Sequence, residues 1–151
     1  MASAWGKAWG AAWSSAWGII AKQFLGRFIA LRTIARYGMA EQFDIEIIQG
    51  DTFEWEIVVQ DDTGVPLSLT GYTLRGMGRK AYTDVLPAFT FVCVADVNQI
   101  GNTGLMFVSL DSITTAAITK GTYKYDIELE IGGKVKKIYR GSVNVLPEAT
   151  K

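Results

Sequence analysis

Apolar side chains in this chain follow two different periods, and the change of period divides it. From Ala4 to Ile19 the sequence runs in tetrads, A-W-G-K, A-W-G-A, A-W-S-S and A-W-G-I, so Trp5, Trp9, Trp13 and Trp17 recur every fourth residue. On an α-helix each step of four turns through about 400°, and the indoles stay on one side with a drift of about 40° apiece. Even spacings on a strand also share a face, so the period alone does not choose. Composition favours helix: Ala4, Ala8, Ala11, Ala12 and Ala16 are strong formers, and no β-branched residue precedes Ile19. Gly6, Gly10 and Gly18 each cost about 1 kcal/mol relative to alanine, so helix is expected only where it is packed. Ile20, Phe24, Phe28, Leu31 and Ala35 then step by three and four along one face, and Gly38 is placed as a C-cap. A long N-terminal helix reaching Tyr37 is the expectation.

From Phe43 the period shortens to two. F-D-I-E-I-I-Q (43–49) and F-E-W-E-I-V-V-Q (53–60) alternate, the second putting Phe53, Trp55, Ile57 and Val59 inward. Further strands are read over 72–80, Phe89–Ala95 and Leu105–Leu110, with a helical turn over Ile113–Ile118 capped by Asp111-Ser112. T-Y-K-Y-D-I-E-L-E-I (122–131) is the clearest strand, followed by a hairpin at Gly132-Gly133. A three-residue loop is preferred there, because it sets Leu129 against Val135 and Glu130 against Lys134. The Lys136-Lys137 doublet breaks the alternation and marks a bulge or an edge position. One of Tyr123 and Tyr125 is expected to bond back to the preceding connection. Seven short strands with frequent turns predict a mainly β fold: an Ig-like antiparallel β-sandwich preceded by a long N-terminal α-helix. The expected domains are a helical anchor at 1–40 and a sandwich at 41–151.

Charge sharpens that division. Residues 1–40 carry Lys7, Lys22, Arg27, Arg32 and Arg36 and no acid, giving +5, while the remainder holds ten basic and fifteen acidic residues, giving −5. The whole chain is neutral and 49% apolar, so nothing draws it as a body to nucleic acid. The basic residues interrupt the leader too often for a plain transmembrane span. Four buried indoles are worth on the order of 20 kcal/mol as an upper bound. The leader is therefore read as buried against a neighbour. Trp5, Trp9, Trp13, Trp17, Ile20, Phe24, Phe28 and Leu31 would be its apolar anchor. Lys22, Arg27, Arg32 and Arg36 would be its charge contacts. A basic helix lying on a membrane is the competing reading.

Candidate chemistry is sparse. The chain has no histidine, which removes imidazole acid–base catalysis and His-based metal sites. Cys93, its one cysteine, sits in the apolar run F-V-C-V and reads as a small hydrophobe. Asp126, Glu128 and Glu130 alternate outward and are expected to meet cross-strand lysines. Asp61-Asp62-Thr63-Gly64 lacks the spacing of a calcium loop and reads as a turn. G-M-G-R (76–79) has no third glycine, and Lys134, Lys136, Lys137 and Arg140 form a basic hairpin surface without interleaved aromatics. No catalytic, cofactor-binding or metal residue is assigned.

Q-G-D-T-F-E-W-E-I (49–57), L-T-G-Y-T-L-R (69–75), G-T-Y-K-Y-D-I-E-L (121–129) and G-S-V-N-V-L-P-E-A-T (141–150) form a recurring order. It resembles small Ig-like domains of tailed-bacteriophage virions, including the amino-terminal domain of lactococcal-type baseplate upper proteins, over roughly residues 43–150. The resemblance implies a non-enzymatic structural protein of a virion, made in the host cytoplasm. Other virion structural proteins would be its partners, with self-association through the N-terminal helix and no cofactor. A membrane-anchored or carbohydrate-binding adhesion module is the alternative.

Overall fold

Strands form where every second side chain is apolar. In Phe53–Gln60 the inward residues Phe53, Trp55, Ile57 and Val59 are all buried, while Glu54 points to solvent. The computed structural model describes residues 31–150. Among them are β1 (Leu31–Arg36), β2 (Glu41–Gln42), β3 (Ile45–Ile48), β4 (Phe53–Gln60) and β5 (Thr73–Arg79). β6 (Phe89–Ala95), β7 (Leu105–Leu110), a short helix α1 (Ser112–Ala117), β8 (Gly121–Ile131) and β9 (Lys134–Leu146) follow. The ladder runs β1–β4–β7–β6–β5–β8–β9, with β2 and β3 both on the far edge of β9.

β6 turns the sheet back on itself. Its first half, Phe89–Phe91, pairs with β5, and its second half, Val92–Ala95, pairs with β7. Gly76 and Gly78 permit the crowding at this corner, because a Cβ on Gly78 would land inside the Phe89 ring. The far ends of the sheet then meet through side chains. Trp55 Nε1 donates to Thr33 Oγ1 at 2.9 Å, Tyr139 Oη lies 2.8 Å from the same oxygen, and Tyr139 donates to the Ile34 carbonyl at 2.6 Å. One direction of donation, from Trp55 through Thr33 and Tyr139 to Ile34, uses each hydroxyl proton once. Trp55, Tyr139, Phe43 and Tyr125 pack around that line, with ring centroids 4.9 Å (Tyr139), 5.4 Å (Phe43) and 6.2 Å (Tyr125) from the indole.

Two expectations fail here. Leu31–Arg36, read as the end of a long helix, is a strand parallel to β4, in register from Leu31↔Trp55 to Arg36↔Gln60. L-R-T-I-A-R buries Leu31, Thr33 and Ala35 in strict alternation, and its β-branched centre suits a strand. The earlier part of the expected helix lies outside the described residues. The Ig-like antiparallel sandwich is also overturned. β1–β4, β2–β9 and β3–β9 are parallel pairs, and the shared β6 makes the sheet a nearly closed, barrel-like one. The only helix among the described residues is α1, whose N-cap Asp111 accepts from Thr114 N at 2.7 Å.

The β8–β9 hairpin corrects a smaller expectation. Its loop has two residues, Gly132 and Gly133, with φ of 55° and 79°, so Ile131 faces Lys134 and Leu129 faces Lys136. Two left-handed residues in succession make the primed turn whose twist matches the strands. The apolar face is recovered farther on. A bulge between Ile127 and Glu128 in the pairing shifts the register, and Ile138 and Tyr139 are both fully buried. Tyr123 makes the expected tether, its hydroxyl donating to the Thr119 carbonyl at 2.5 Å. Tyr125 instead reaches the Phe43 carbonyl.

Tyr139→Phe is expected to lower stability by about 1–3 kcal/mol, since it leaves the buried Thr33 hydroxyl and the half-buried Ile34 carbonyl without their tyrosine partner. In urea unfolding the midpoint should fall with the m-value unchanged. A neutral result would mean that the aromatic packing alone joins β1 to β9.

Candidate functional site

The residues proposed from sequence as an anchor divide cleanly. Trp5, Trp9, Trp13, Trp17, Ile20, Phe24 and Phe28 lie outside the described residues, as do Lys22 and Arg27. Leu31 is buried inside the protein's own core, opposite Trp55. Arg32 is on the outer face of β1, with Nη1 3.7 Å from Glu56 Oε2 on β4. Arg36 is exposed at the end of the same strand, where the chain turns back at Met39.

Arg32 and Arg36 flank an apolar surface that sequence reasoning missed. Ile34 on β1 stands beside Val58 on β4, which stands opposite Leu105 on β7. One row along, Phe107 on β7 faces Val94 on β6, and Val92 follows. Val92 and Val94 are 57% and 52% exposed, and Ile34, Val58, Leu105 and Phe107 are half-buried. This is the outer side of β1–β4–β7–β6, whose inner side already supplies Trp55, Ile57, Met106 and Val108 to the core. Glu54, Glu56 and Ser109 share this side, so the apolar residues form a diagonal band across it. The signal was present in L-M-F-V-S-L and F-V-C-V, where alternation fails because both parities are apolar.

The outer side of β5–β8–β9 has the opposite character. Arg75 Nη2 on β5 contacts Glu128 Oε1 at 2.9 Å and Glu130 Oε2 at 3.0 Å on β8. Lys137 Nζ on β9 holds Asp126 Oδ2 and Glu128 Oε2, both at 3.0 Å. The outward carboxylates thus find the cross-strand lysine expected, and an arginine from the other side as well. Burial works against the Glu128 charge, but Lys137 and Arg75 outweigh it and hold the carboxyl below its ordinary range. Burial likewise opposes the Lys137 charge, and Glu128 and Asp126 outweigh it and hold the ammonium above the usual lysine range. Beside this network opens a cleft of about 420 Å³, reaching Arg79, Lys124 and Tyr82.

The remaining candidates are consumed locally. Asp61 Oδ1 accepts from Thr63 N at 2.9 Å, Thr63 Oγ1 at 2.6 Å and Val65 N at 3.0 Å, a turn that occupies the carboxylate. Those bonds, Thr63's hydroxyl first, hold Asp61 below the usual carboxylate range. Cys93 faces inward beside Gly76, and burial pushes its thiol up to about 12, which makes it a poor nucleophile. Among the described residues no group of three or more His, Cys, Asp or Glu is placed to hold a metal ion. None of their helices is long and apolar enough to cross a membrane.

No protein-family model matches the sequence, and no curated protein does. Among solved structures the chain is similar to the N-terminal domain of phage TP901-1 ORF48. Identity is 10%, covering 76% of this chain and 98% of that one, with a TM-score of 0.47. It is also similar to Listeria monocytogenes InlP at 18% identity, covering 77% of this chain and 27% of that one, with a TM-score of 0.38. The cysteine protease inhibitor EhICP2 from Entamoeba histolytica matches at 12% identity, over 80% of this chain and 98% of that one, with a TM-score of 0.37. One of the three is thus a phage protein, and similarity at this level carries no argument about function.

The Glu128 network makes stability depend on pH in a defined direction. Glu128 is lowered from its ordinary value of 4.5, so its contribution is complete above that value and is lost as pH falls through the folded pKa. Lys137 is raised from 10.5, so its contribution is complete below that value and is lost as pH rises through the folded pKa. Glu128→Gln is expected to cost about 0.5–1 kcal/mol on the plateau between them. In urea midpoints measured against pH, the gap from wild type should close on the acid side of 4.5. A gap that persists at pH 2–3 would mean the carboxylate's charge is not what holds these strands.

Proposed function

We propose that the protein is a non-enzymatic structural component of a tailed-phage virion, attached through its N-terminal segment and docking its β domain against neighbouring subunits. The observation that supports this best is the outer face of β1–β4–β7–β6. Four adjacent strands present Ile34, Val58, Leu105, Phe107, Val94 and Val92 outward, beyond what the core needs. Contiguous apolar patches of this kind mark interaction surfaces on soluble proteins. The basic, acid-free leader with its four tetrad tryptophans supplies a second adhesive element in the same chain. Its charge is opposite to that of the domain: residues 31–150 hold eleven basic and fifteen acidic side chains, a net of −4. Copies of one chain can therefore attract each other, leader to domain. The order of turn and strand motifs over residues 43–150, which resembles virion domains, supports reading that assembly as part of a phage particle.

The test is the mass of the full-length protein in solution, by size exclusion with light scattering. Wild type is expected to form defined oligomers. Val92→Asp with Val94→Asp, or Trp9→Ala with Trp13→Ala, should each shift the distribution towards monomer. The domain's melting temperature should move by less than about 2 °C, because Val92 and Val94 are surface positions. A wild-type monomer that becomes ordered only on adding liposomes would replace assembly with membrane attachment.

A further inference from the structure

We propose that the cleft on the outer side of β5–β8–β9 binds an acidic saccharide, with Arg79 and Lys124 receiving the sugar's carboxylate. Arg79 and Lys124 stand directly opposite one another on neighbouring strands. Like charges so placed destabilise a sheet. Arg75 and Lys137 each hold two carboxylates. Among the described residues neither Arg79 nor Lys124 has an acidic oxygen within 4.0 Å. The two lean apart instead. Lys124 Nζ donates to Ser142 Oγ on β9 at 3.3 Å, while Arg79 Nη1 turns back along its own strand towards Met77 Sδ at 4.0 Å. Both line the cleft. In a domain with a net charge of −4 this is not part of a general basic surface. It is a local arrangement that an arriving oxyanion would complete with charge-assisted hydrogen bonds.

The other walls of the cleft narrow the chemistry. Asp126 and Glu128 line it too, so a polyphosphate chain would bring like charges against them. A sugar acid has one carboxylate and several hydroxyls, which can both donate to those carboxylates and accept from Arg75 and Lys137. Tyr82, in the β5–β6 loop, lines the same cleft and is 66% exposed, offering a ring face and a phenol beside the cationic end. One anion, several hydroxyls and an apolar ring face together describe an acidic saccharide. The site is independent of the assembly role, since it lies on different strands from the apolar face.

Isothermal titration of the full-length protein at low ionic strength tests this, with the monosaccharide galacturonic acid as the probe. Neutral galactose, inorganic phosphate and poly-glutamate are the comparisons. Saturable binding of galacturonic acid alone is expected, weakening as salt screens the pair. Arg79→Gln or Lys124→Gln should each reduce affinity about tenfold or more. Each should also raise the melting temperature, by about 1–3 °C, because an opposed like charge is removed. Tyr82→Ala, on an exposed loop, should weaken binding and leave the melting temperature in place. Absence of binding, binding indifferent to Arg79 and Lys124, or equal binding of phosphate or poly-glutamate would each overturn the assignment. A lower melting temperature in both charge variants would also overturn it, by showing the pair to be structural.

Discussion

The line of buried hydrogen bonds from Trp55 through Thr33 and Tyr139 to Ile34 carries a burden that the backbone does not. Elsewhere neighbouring strands are joined by ladders. Between β1 and β9, where the barrel-like sheet nearly closes, the join is made by side chains. Burying an indole N–H and two hydroxyls would cost several kcal/mol without partners. Here each finds one, so the polar groups fix the approach of the two ends while the rings around them supply the burial. Thr33 is one of two buried polar residues among those described, and it is the atom both aromatic groups need. The other, Thr115, does a similar local task, donating from Oγ1 to the Asp51 carbonyl at 2.7 Å and so docking α1 against the turn before β4.

That closure decides what the two outer faces can be. Once the sheet curls around its aromatic core, the outward positions are free of packing duty and are set by other demands. On β5–β8–β9 they are charged, with Arg75 and Lys137 paired to carboxylates and Arg79 set opposite Lys124. On β1–β4–β7–β6 a diagonal band from Ile34 through Val58, Leu105 and Phe107 to Val94 and Val92 is apolar, edged by Arg32, Glu54 and Glu56. The contrast lies within one continuous sheet, divided along β6, whose first half pairs on one side and second half on the other. The difference in character thus follows a bend in a single strand.

Much of this was legible in the residues. β4, β8, α1 and the Tyr123 tether follow from alternation, capping and the two-residue strand period, each a local signal that tertiary packing reinforced. β1 was not legible, because L-R-T-I-A satisfies both periods: Phe28, Leu31 and Ala35 step as a helix face, and Leu31, Thr33 and Ala35 step as a strand face. What decides is the free edge of β4, parallel and more than twenty residues away, which no local pattern records. The hairpin register failed for a related reason. Facing Leu129 with Lys136 looks costly until the bulge two residues on is counted, and the bulge is a property of the pair rather than of either strand. The Arg79–Lys124 opposition was invisible for the same cause, since register across β5 and β8 is set by long-range pairing.

The acidic domain and the basic leader meet at a boundary that the fold does not respect. The charge change falls near Met39–Glu41, but the sheet already begins at Leu31, with Thr33 and Ala35 among its most buried residues. Arg32 and Arg36 therefore belong to the basic stretch by sequence and to the sheet by structure, and they edge the apolar face from its β1 side. Any segment entering β1 from residue 30 arrives at the rim of that face. Strand β1 thus serves both the core and the outer face. It holds the core closed through Thr33 and contributes Ile34 to the outer surface. It also fixes the point from which the leader departs. A change that loosened β1 would disturb closure and surface together, whereas changes at Val92 or Val94 touch the surface alone.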